Sequence, residues 1–367
     1  MINKRVLTIY LNIARNDTTF ISRDIYGQGH ESSVMNIELV KLLFNKIADS
    51  SFNRLRFVYR TEELDNLDLN YYESLLSFQR QYLRDKQYVN LFQTNDSFLN
   101  EDIVAFIKDN QINLLILMSE LQDERISEKM ELLMKNKLNY ELILRCSDRL
   151  ARNIDDICLF LKSLEGLMNL HLYLPNIINQ GILTQNNLSK ILVGLFDYWF
   201  YDFECEFDIK LLTGMVLGLF GLPRSYCLFK ESCATQAFIL SVDSDGNAFP
   251  CDSNERRRTI IGNIKTDEID QLMLDNINRE KQKRADLKKI SPSCCFCKWY
   301  SSCYGACPIH FNPSTKENQF CRDFKETFSY IHSKLKERNI IDDEENILVK
   351  DEKTIPNKAL KKAILGL

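Results

Sequence analysis

Six short segments rich in branched and aromatic residues recur through the first 175 residues, and each is followed by a stretch with helical spacing. The apolar segments are VLTIYLNI (6–13), LRFVY (55–59), YVNLFQ (88–93), INLLILMS (112–119), YELILR (140–145) and MNLHLYL (168–174). Buried parallel strands have this length and composition. MNIELVKLLFNKIA carries apolar residues at 37, 40, 43, 44 and 47, which fall on one face of a helix. LNYYESLLSFQRQYL, NEDIVAFIKDN, ERISEKMELLMKN and NIDDICLFLKSL repeat the pattern. Such alternation restricts the chain to α/β architecture, a parallel sheet with right-handed crossovers. It leaves an open sheet and a partial barrel both possible.

After Pro175 the rhythm changes. Two helices are expected, around NLSKILVGLFDYWFYDF and DIKLLTGMVLGLFG, and then a hairpin in AFILSVDSDGNAFPC with its turn at Asp245-Gly246. Residues beyond about 340 are charged and read as peripheral.

Twelve cysteines stand in the chain, nine of them between Cys227 and Cys321; Cys146, Cys158 and Cys205 are the others. The start, MINKRVLTIYLNIARN, alternates apolar and polar residues like a strand rather than forming a signal peptide, so a cytoplasmic protein is expected. No apolar run approaches the roughly 18 residues that span a bilayer, so no membrane partner is expected. In a reducing compartment, clustered cysteines point to metal or redox chemistry rather than disulfides. The formal charge of −4 lacks the basic excess of a nucleic-acid binder, and runs such as NERRRT and NREKQKRADLKK read as solvated faces.

The spacings are Cys227-x5-Cys233, then Gly246-x4-Cys251, then Cys294-x2-Cys297-x5-Cys303-x3-Cys307, and finally Cys321. Eight cysteines suffice for two four-thiolate sites. A C-x2-C turn presents two ligands from one loop, and Gly246 and Gly305 allow the tight backbone that wrapping a metal requires. Spacing alone does not separate zinc from iron–sulfur clusters.

The pattern resembles the SPASM extension of the radical SAM enzymes, and most of all the anaerobic sulfatase-maturating enzymes. LFDYWF, GLPRSYCLFKESC, SVDSDGNAFPCD, IGNI (261–264) and CFCKWYSSCYGACP carry the likeness. It implies a partial (βα)6 TIM-like barrel over residues 1–220, a SPASM domain over 221–335 binding two [4Fe–4S] clusters, and a charged tail over 336–367. Carried across by position, the first cluster is held by Cys227, Cys233, Cys251 and Cys307, and the second by Cys294, Cys297, Cys303 and Cys321. Cys295 is then an additional thiol beside Cys294. Trp299 and Tyr304 are expected to shield a cluster, and His30, His171, His310 and His332 to be structural.

The catalytic cluster of that family uses C-x3-C-x2-C after the first strand; here those positions fall at Arg15, Thr19 and Ser22. No cysteine precedes Cys146. Hard oxygen and nitrogen side chains do not replace thiolates on a soft cluster. The GGEP segment corresponds to Thr61, Glu62, Glu63 and Leu64, whereas QTNDSFL (93–99) keeps most of a second SAM-site motif, with Asp96 for glycine. No SAM is therefore expected as cofactor. Asp252 matches the acid that deprotonates the substrate in sulfatase maturases, and is the one catalytic candidate, with a structural carboxylate as the competing reading.

The expectation is a degenerate radical SAM-like protein serving as a substrate-binding or electron-transfer partner in peptide or protein maturation, beside a catalytically competent radical SAM enzyme. Two alternatives stay open: a metal-stapled interaction scaffold, and a SAM-independent enzyme using the auxiliary clusters.

Overall fold

A computed structural model describes residues 6–15, 33–61, 69–95, 99–118, 124–175, 182–202, 204–224, 226–230, 238–251, 259–286, 291–312, 314–342, 348, 355 and 357–365. In chain order the elements are β1 (Val6–Arg15), β2 (Ser33–Val34), α1 (Ile37–Ala48), β3 (Arg54–Thr61), α2 (Leu69–Tyr82), β4 (Gln87–Asn95), α3 (Glu101–Asp109), β5 (Asn113–Met118), α4 (Glu124–Lys135) and β6 (Tyr140–Arg145). Then follow α5 (Asp148–Arg152), α6 (Ile154–Lys162), β7 (Leu167–Tyr173), α7 (Asn187–Tyr201), β8 (Asp208–Ile209), α8 (Lys210–Leu219), β9 (Ile239–Val242), β10 (Asn247–Phe249) and β11 (Gly262–Asn263). The remaining helices are α9 (Ile269–Asp286), α10 (Pro292–Cys295), α11 (Tyr300–Cys303), α12 (Cys321–Glu337) and α13 (Lys358–Leu365). All six expected strands and their helices are present. Among the described residues no helix is long and apolar enough to cross a membrane.

The chain forms two compact units, one of Met1–Leu138 with Ser232–Asp286, the other of Asn139–Glu231 with Leu287–Leu367. In the first, β1, β3, β4 and β5 pair in parallel and in sequence order, with each strand beside its successor. That is the order of a βα barrel sheet, not of a doubly wound one, whose order reverses. Leu7, Ile9, Leu11 and Ile13 of β1 and Phe57 of β3 are fully buried beneath Leu43, Phe44 and Ile47 of α1. Phe44 meets Phe57 edge-on at 5.5 Å, and Tyr72 of α2 meets Phe92 of β4 at 5.1 Å. Burying each such side chain stabilises the unit by about 1.5–3 kcal/mol.

The opposite face of this sheet is mixed: Tyr10 and Asn12 of β1, Val58 and Arg60 of β3, and Leu91 and Gln93 of β4 lie on it, with Arg60 over the Tyr10 ring at 5.6 Å. The hairpin reaches this sheet as well. β9 pairs in parallel with β1, Thr8 opposite Ile239 through Leu11 opposite Val242, and turns back antiparallel into β10. Asn12 fixes the junction, donating from Nδ2 to the Val242 carbonyl at 2.9 Å.

In the second unit β6, β7 and β8 pair in parallel. α8 is buried on all sides, as its sequence KLLTGMVLGL dictates. α7 buries Leu192, Phe196, Trp199 and Phe200. Its own N-cap residue, Asn186, sits at φ 68° and makes no capping bond. Asp323 of α12 supplies the cap instead, accepting from the Ser189 amide at 2.9 Å. The end of the chain docks in this unit: Asn357 donates to the Trp199 carbonyl at 2.9 Å, and Leu360 of α13 is fully buried.

Candidate metal centre

The four cysteines assigned by resemblance to the second cluster all belong to the second unit. Cys294 stands on α10, Cys297 follows it in a turn, Cys303 ends α11 and Cys321 opens α12. The turn is fixed by Cys294 N–H to the Ser291 carbonyl at 2.8 Å and Cys297 N–H to the Cys294 carbonyl at 3.2 Å. Cys303 N–H reaches the Trp299 carbonyl at 2.8 Å, and Cys321 N–H the Asn318 carbonyl at 2.9 Å. Asn318 closes the loop from the other side, donating to the carbonyls of Gly305 at 3.3 Å and Cys307 at 3.2 Å.

The thiols are close enough to act on one another. Burial pushes Cys303 up to about 12, and the neighbouring sulfurs of Cys321, Cys294 and Cys297 add to the rise, while the Gly305 N–H opposes it. Burial pushes Cys321 up to about 11, and raises Cys294, with Cys297 reinforcing the latter. Binding a metal centre would displace these protons. Between Cys303 and Cys307 the backbone turns through three consecutive positive φ values: Tyr304 at 51°, Gly305 at 79° and Ala306 at 59°. Left-handed conformation costs a non-glycine residue roughly 1–3 kcal/mol and concentrates at functional sites. Such strain between two candidate ligands fits a loop shaped to wrap a bound group.

A single tetrahedral zinc would draw four sulfurs to within about 4 Å of each other. Among the described residues no three His, Cys, Asp or Glu side chains converge to hold a single metal ion.

The loop is seated on the end of α8. Arg224 donates to the carbonyls of Phe229 at 2.7 Å and Ser301 at 2.8 Å, and its guanidinium lies over the Tyr304 ring at 4.9 Å. Ser302 Oγ donates to the Gly218 carbonyl at 3.0 Å, and a Cβ on Gly218 would come within 3.0 Å of the Ser302 carbonyl oxygen. Two charged residues lie nearby: Lys325 stands one turn along α12 from Cys321, and Glu317 accepts from Ser293 Oγ at 2.9 Å.

The other assigned set is not assembled within either unit. Cys227 and Cys307 belong to the second unit and Cys251 to the first, while Cys233 lies outside the described residues. Asp252, Thr19, Ser22, Glu62, Glu63, Leu64, Asp96 and His30 also lie outside them. Arg15 closes β1 and Thr61 closes β3. Cys295 is exposed; Cys146, Cys158 and Cys205 are buried as small core residues.

Asp243 organises the hairpin turn, accepting from the amides of Asp245 at 3.0 Å and Asn247 at 2.9 Å, and Gly246 takes φ 86°. Trp299 packs toward α12, parallel to Phe328 at 6.0 Å, with Nε1 on Ser329 Oγ at 3.2 Å. His332 meets the Trp299 ring at 5.3 Å, and His310 is buried against Phe320. His171 pairs with Glu141 at 2.6 Å across β6 and β7. Its scattered place in the sequence hid that pair, which only the strand register reveals.

No family model matches the chain. It is similar to the cysteine-type anaerobic sulfatase-maturating enzyme of Clostridium perfringens, 22% identical over 330 residues that cover 82% of this chain and 88% of that protein. The cysteine-type enzyme of Clostridium novyi is 24% identical, with 82% and 87% covered. Among solved structures, the anSMEcpe enzyme with bound AdoMet and Kp18Cys peptide superposes with a TM-score of 0.77 at 20% identity, covering 90% of this chain and 98% of that one. Streptococcus suis SuiB bound to precursor peptide SuiA superposes with a TM-score of 0.62 at 11% identity, covering 86% and 76%.

Proposed function

From the premise that this chain is a distant relative of the anaerobic sulfatase-maturating enzymes, in the radical SAM/SPASM superfamily, and has their fold, we propose that it is a partner protein in peptide or protein maturation that carries two auxiliary [4Fe–4S] clusters and does not cleave SAM itself. One observation carries this reading: eight cysteines from Cys227 to Cys321 keep the SPASM spacing, while the sequence holds no cysteine before Cys146. The ligand sets are Cys294, Cys297, Cys303 and Cys321 for one cluster, and Cys227, Cys233, Cys251 and Cys307 for the other. When bound, each cluster supplies one-electron transfer. The chain's own residues shape the loop and seat it on α8.

The anSMEcpe structures hold AdoMet, two of them with a peptide as well, and SuiB holds its precursor peptide SuiA. Here the peptide is the partner taken over from that comparison. SAM is not, since Arg15, Thr19 and Ser22 stand where the thiols that anchor its cluster would be. Asp252 remains the candidate proton acceptor beside Cys251.

The deciding experiment is iron and labile sulfide per chain after anaerobic reconstitution, with EPR of the reduced protein before and after SAM. About eight irons and an EPR signal indifferent to SAM support the reading. About twelve irons with a SAM-perturbed signal overturn it. Zinc in place of iron moves the protein to the scaffold class.

A further inference from the structure

The second unit holds a carboxylate–imidazole pair outside the cysteine loops. His171 of β7 and Glu141 of β6 meet across the two strands, Nε2 to Oε2 at 2.6 Å. Their face of the sheet is half-buried: Glu141, Ile143 and Arg145 on β6, Asn169, His171 and Tyr173 on β7. The opposite face is closed, with Leu142, Leu144, Leu170 and Leu172 buried. The side chain of His171 is 23% exposed and that of Glu141 14%, which leaves both open to a small solute. An ionised carboxylate accepts hydrogen bonds and donates none, so Glu141 fixes the proton of the neutral imidazole on Nε2 and leaves the lone pair on Nδ1. A base held by an orienting third group has this arrangement. Ile143 stands opposite His171, and Arg145 stands opposite Tyr173 two residues, or about 7 Å, further along the same face. Asp208 of β8 lies opposite Asn169, and its carboxylate is engaged by Lys210 Nζ at 2.8 Å and by Thr213 Oγ1.

We propose that His171 is a general base, oriented by Glu141, for a small substrate with a weakly acidic proton whose anion carries its charge on oxygen. Arg145 balances that charge. In the step the substrate's bond to hydrogen breaks, the proton passes to Nδ1, and the bonding electron pair stays on the substrate. The imidazolium is held against the Glu141 carboxylate and gives the proton back once the anion has reacted, so no oxidant or reductant is consumed. Glu141 is the positioning residue, because it acts through the ring. Neither residue belongs to the cysteine loops, so the chemistry is the same whether or not the thiols carry iron.

The test is the ring opening of 5-nitrobenzisoxazole by the full-length chain, without reductant, followed by release of the coloured phenolate. A base removes the ring C–H proton, the C–H pair completes the nitrile, and the N–O pair leaves on the phenolate oxygen. Wild type is expected to exceed free imidazole at equal concentration and pH by about 10²-fold. His171→Gln is expected to lose at least about tenfold in kcat/KM, and Glu141→Gln and Arg145→Gln about three- to tenfold, each at an unchanged melting temperature. His332→Gln keeps the wild-type rate. Imidazole added to His171→Gly restores part of the lost rate, which a pair that only held two strands together would not show. Wild type no faster than free imidazole, or His171→Gln as fast as wild type, overturns the proposal. Glu141→Gln at the wild-type rate overturns the part assigned to Glu141.

Discussion

At the residue scale the candidate centre depends on close approach and on buried polar groups. Gly218 is the clearest case. In a helix interior, alanine is ordinarily favoured over glycine by about 1 kcal/mol. Here the added Cβ would press to 3.0 Å on both the Ser302 carbonyl oxygen and Arg224 Nε. Overpacking costs about 1–3 kcal/mol, so the clash outweighs the helical gain. Gly218→Ala is therefore expected to lower stability by roughly 1 kcal/mol and to reduce iron loading, read by urea unfolding and iron assay. His310 gives a pH signature. Burial pulls its pKa down from the usual 6.5 to about 4, so the folded imidazole stays neutral where the unfolded one takes a proton. Its contribution is complete above pH 6.5 and is lost as the pH falls toward 4, about 2 kcal/mol between pH 7.5 and pH 5. Urea unfolding at both values should show that loss in wild type and a flatter dependence in His310→Gln. The sequence showed neither effect: a lone glycine and a lone histidine carry no pattern, and their roles arise from neighbours far away in the chain.

At the element scale much was legible. Period-two alternation placed β1, and short apolar runs with helical stretches between them placed β3 to β7, because a buried parallel strand and an amphipathic helix leave different spacings. The hairpin was legible too, since Asp245-Gly246 supplies the positive φ that its turn needs. What the periodicity did not show was where elements attach. The pairing of β9 with β1 joins residues more than two hundred positions apart, and no local pattern encodes a partner strand. The cap on α7 is another such case. Asp323 is buried and its carboxylate is anchored on the Ser189 amide, with Ser189 Oγ also meeting Glu326 at 2.9 Å. Asp323→Ala is expected to cost about 1–2 kcal/mol, the usual loss for a cap. Because α12 opens with Cys321, the same substitution should lower iron retention more than Asp197→Asn, which alters the α12–α7 contact at Tyr330 instead. Thermal unfolding and iron assay on both variants check the ranking.

At the scale of the whole molecule, the cysteine arithmetic was the most informative part of the sequence. Nine thiols lie between Cys227 and Cys321, and four of them, Cys294, Cys297, Cys303 and Cys321, belong to the second unit. Spacing carried that much because C-x2-C and C-x5-C keep ligands within one loop's reach. Metal binding that requires several converging loops couples to folding. Stripping the clusters with chelator under air is therefore expected to lower the melting temperature of the second unit's transition by several degrees, followed by calorimetry with and without reconstitution.

The cap that α12 lends to α7 also makes the chain self-reporting. The Ser189 amide and the Asp323 carboxylate are 134 positions apart in sequence, yet the proton on the one is shielded only while the other holds its place. Loss of the proposed cluster at Cys321 is expected to loosen the first turn of α12 and to raise deuterium exchange at that single amide. Exchange at the start of α7 thus becomes a clock for how long the centre stays loaded.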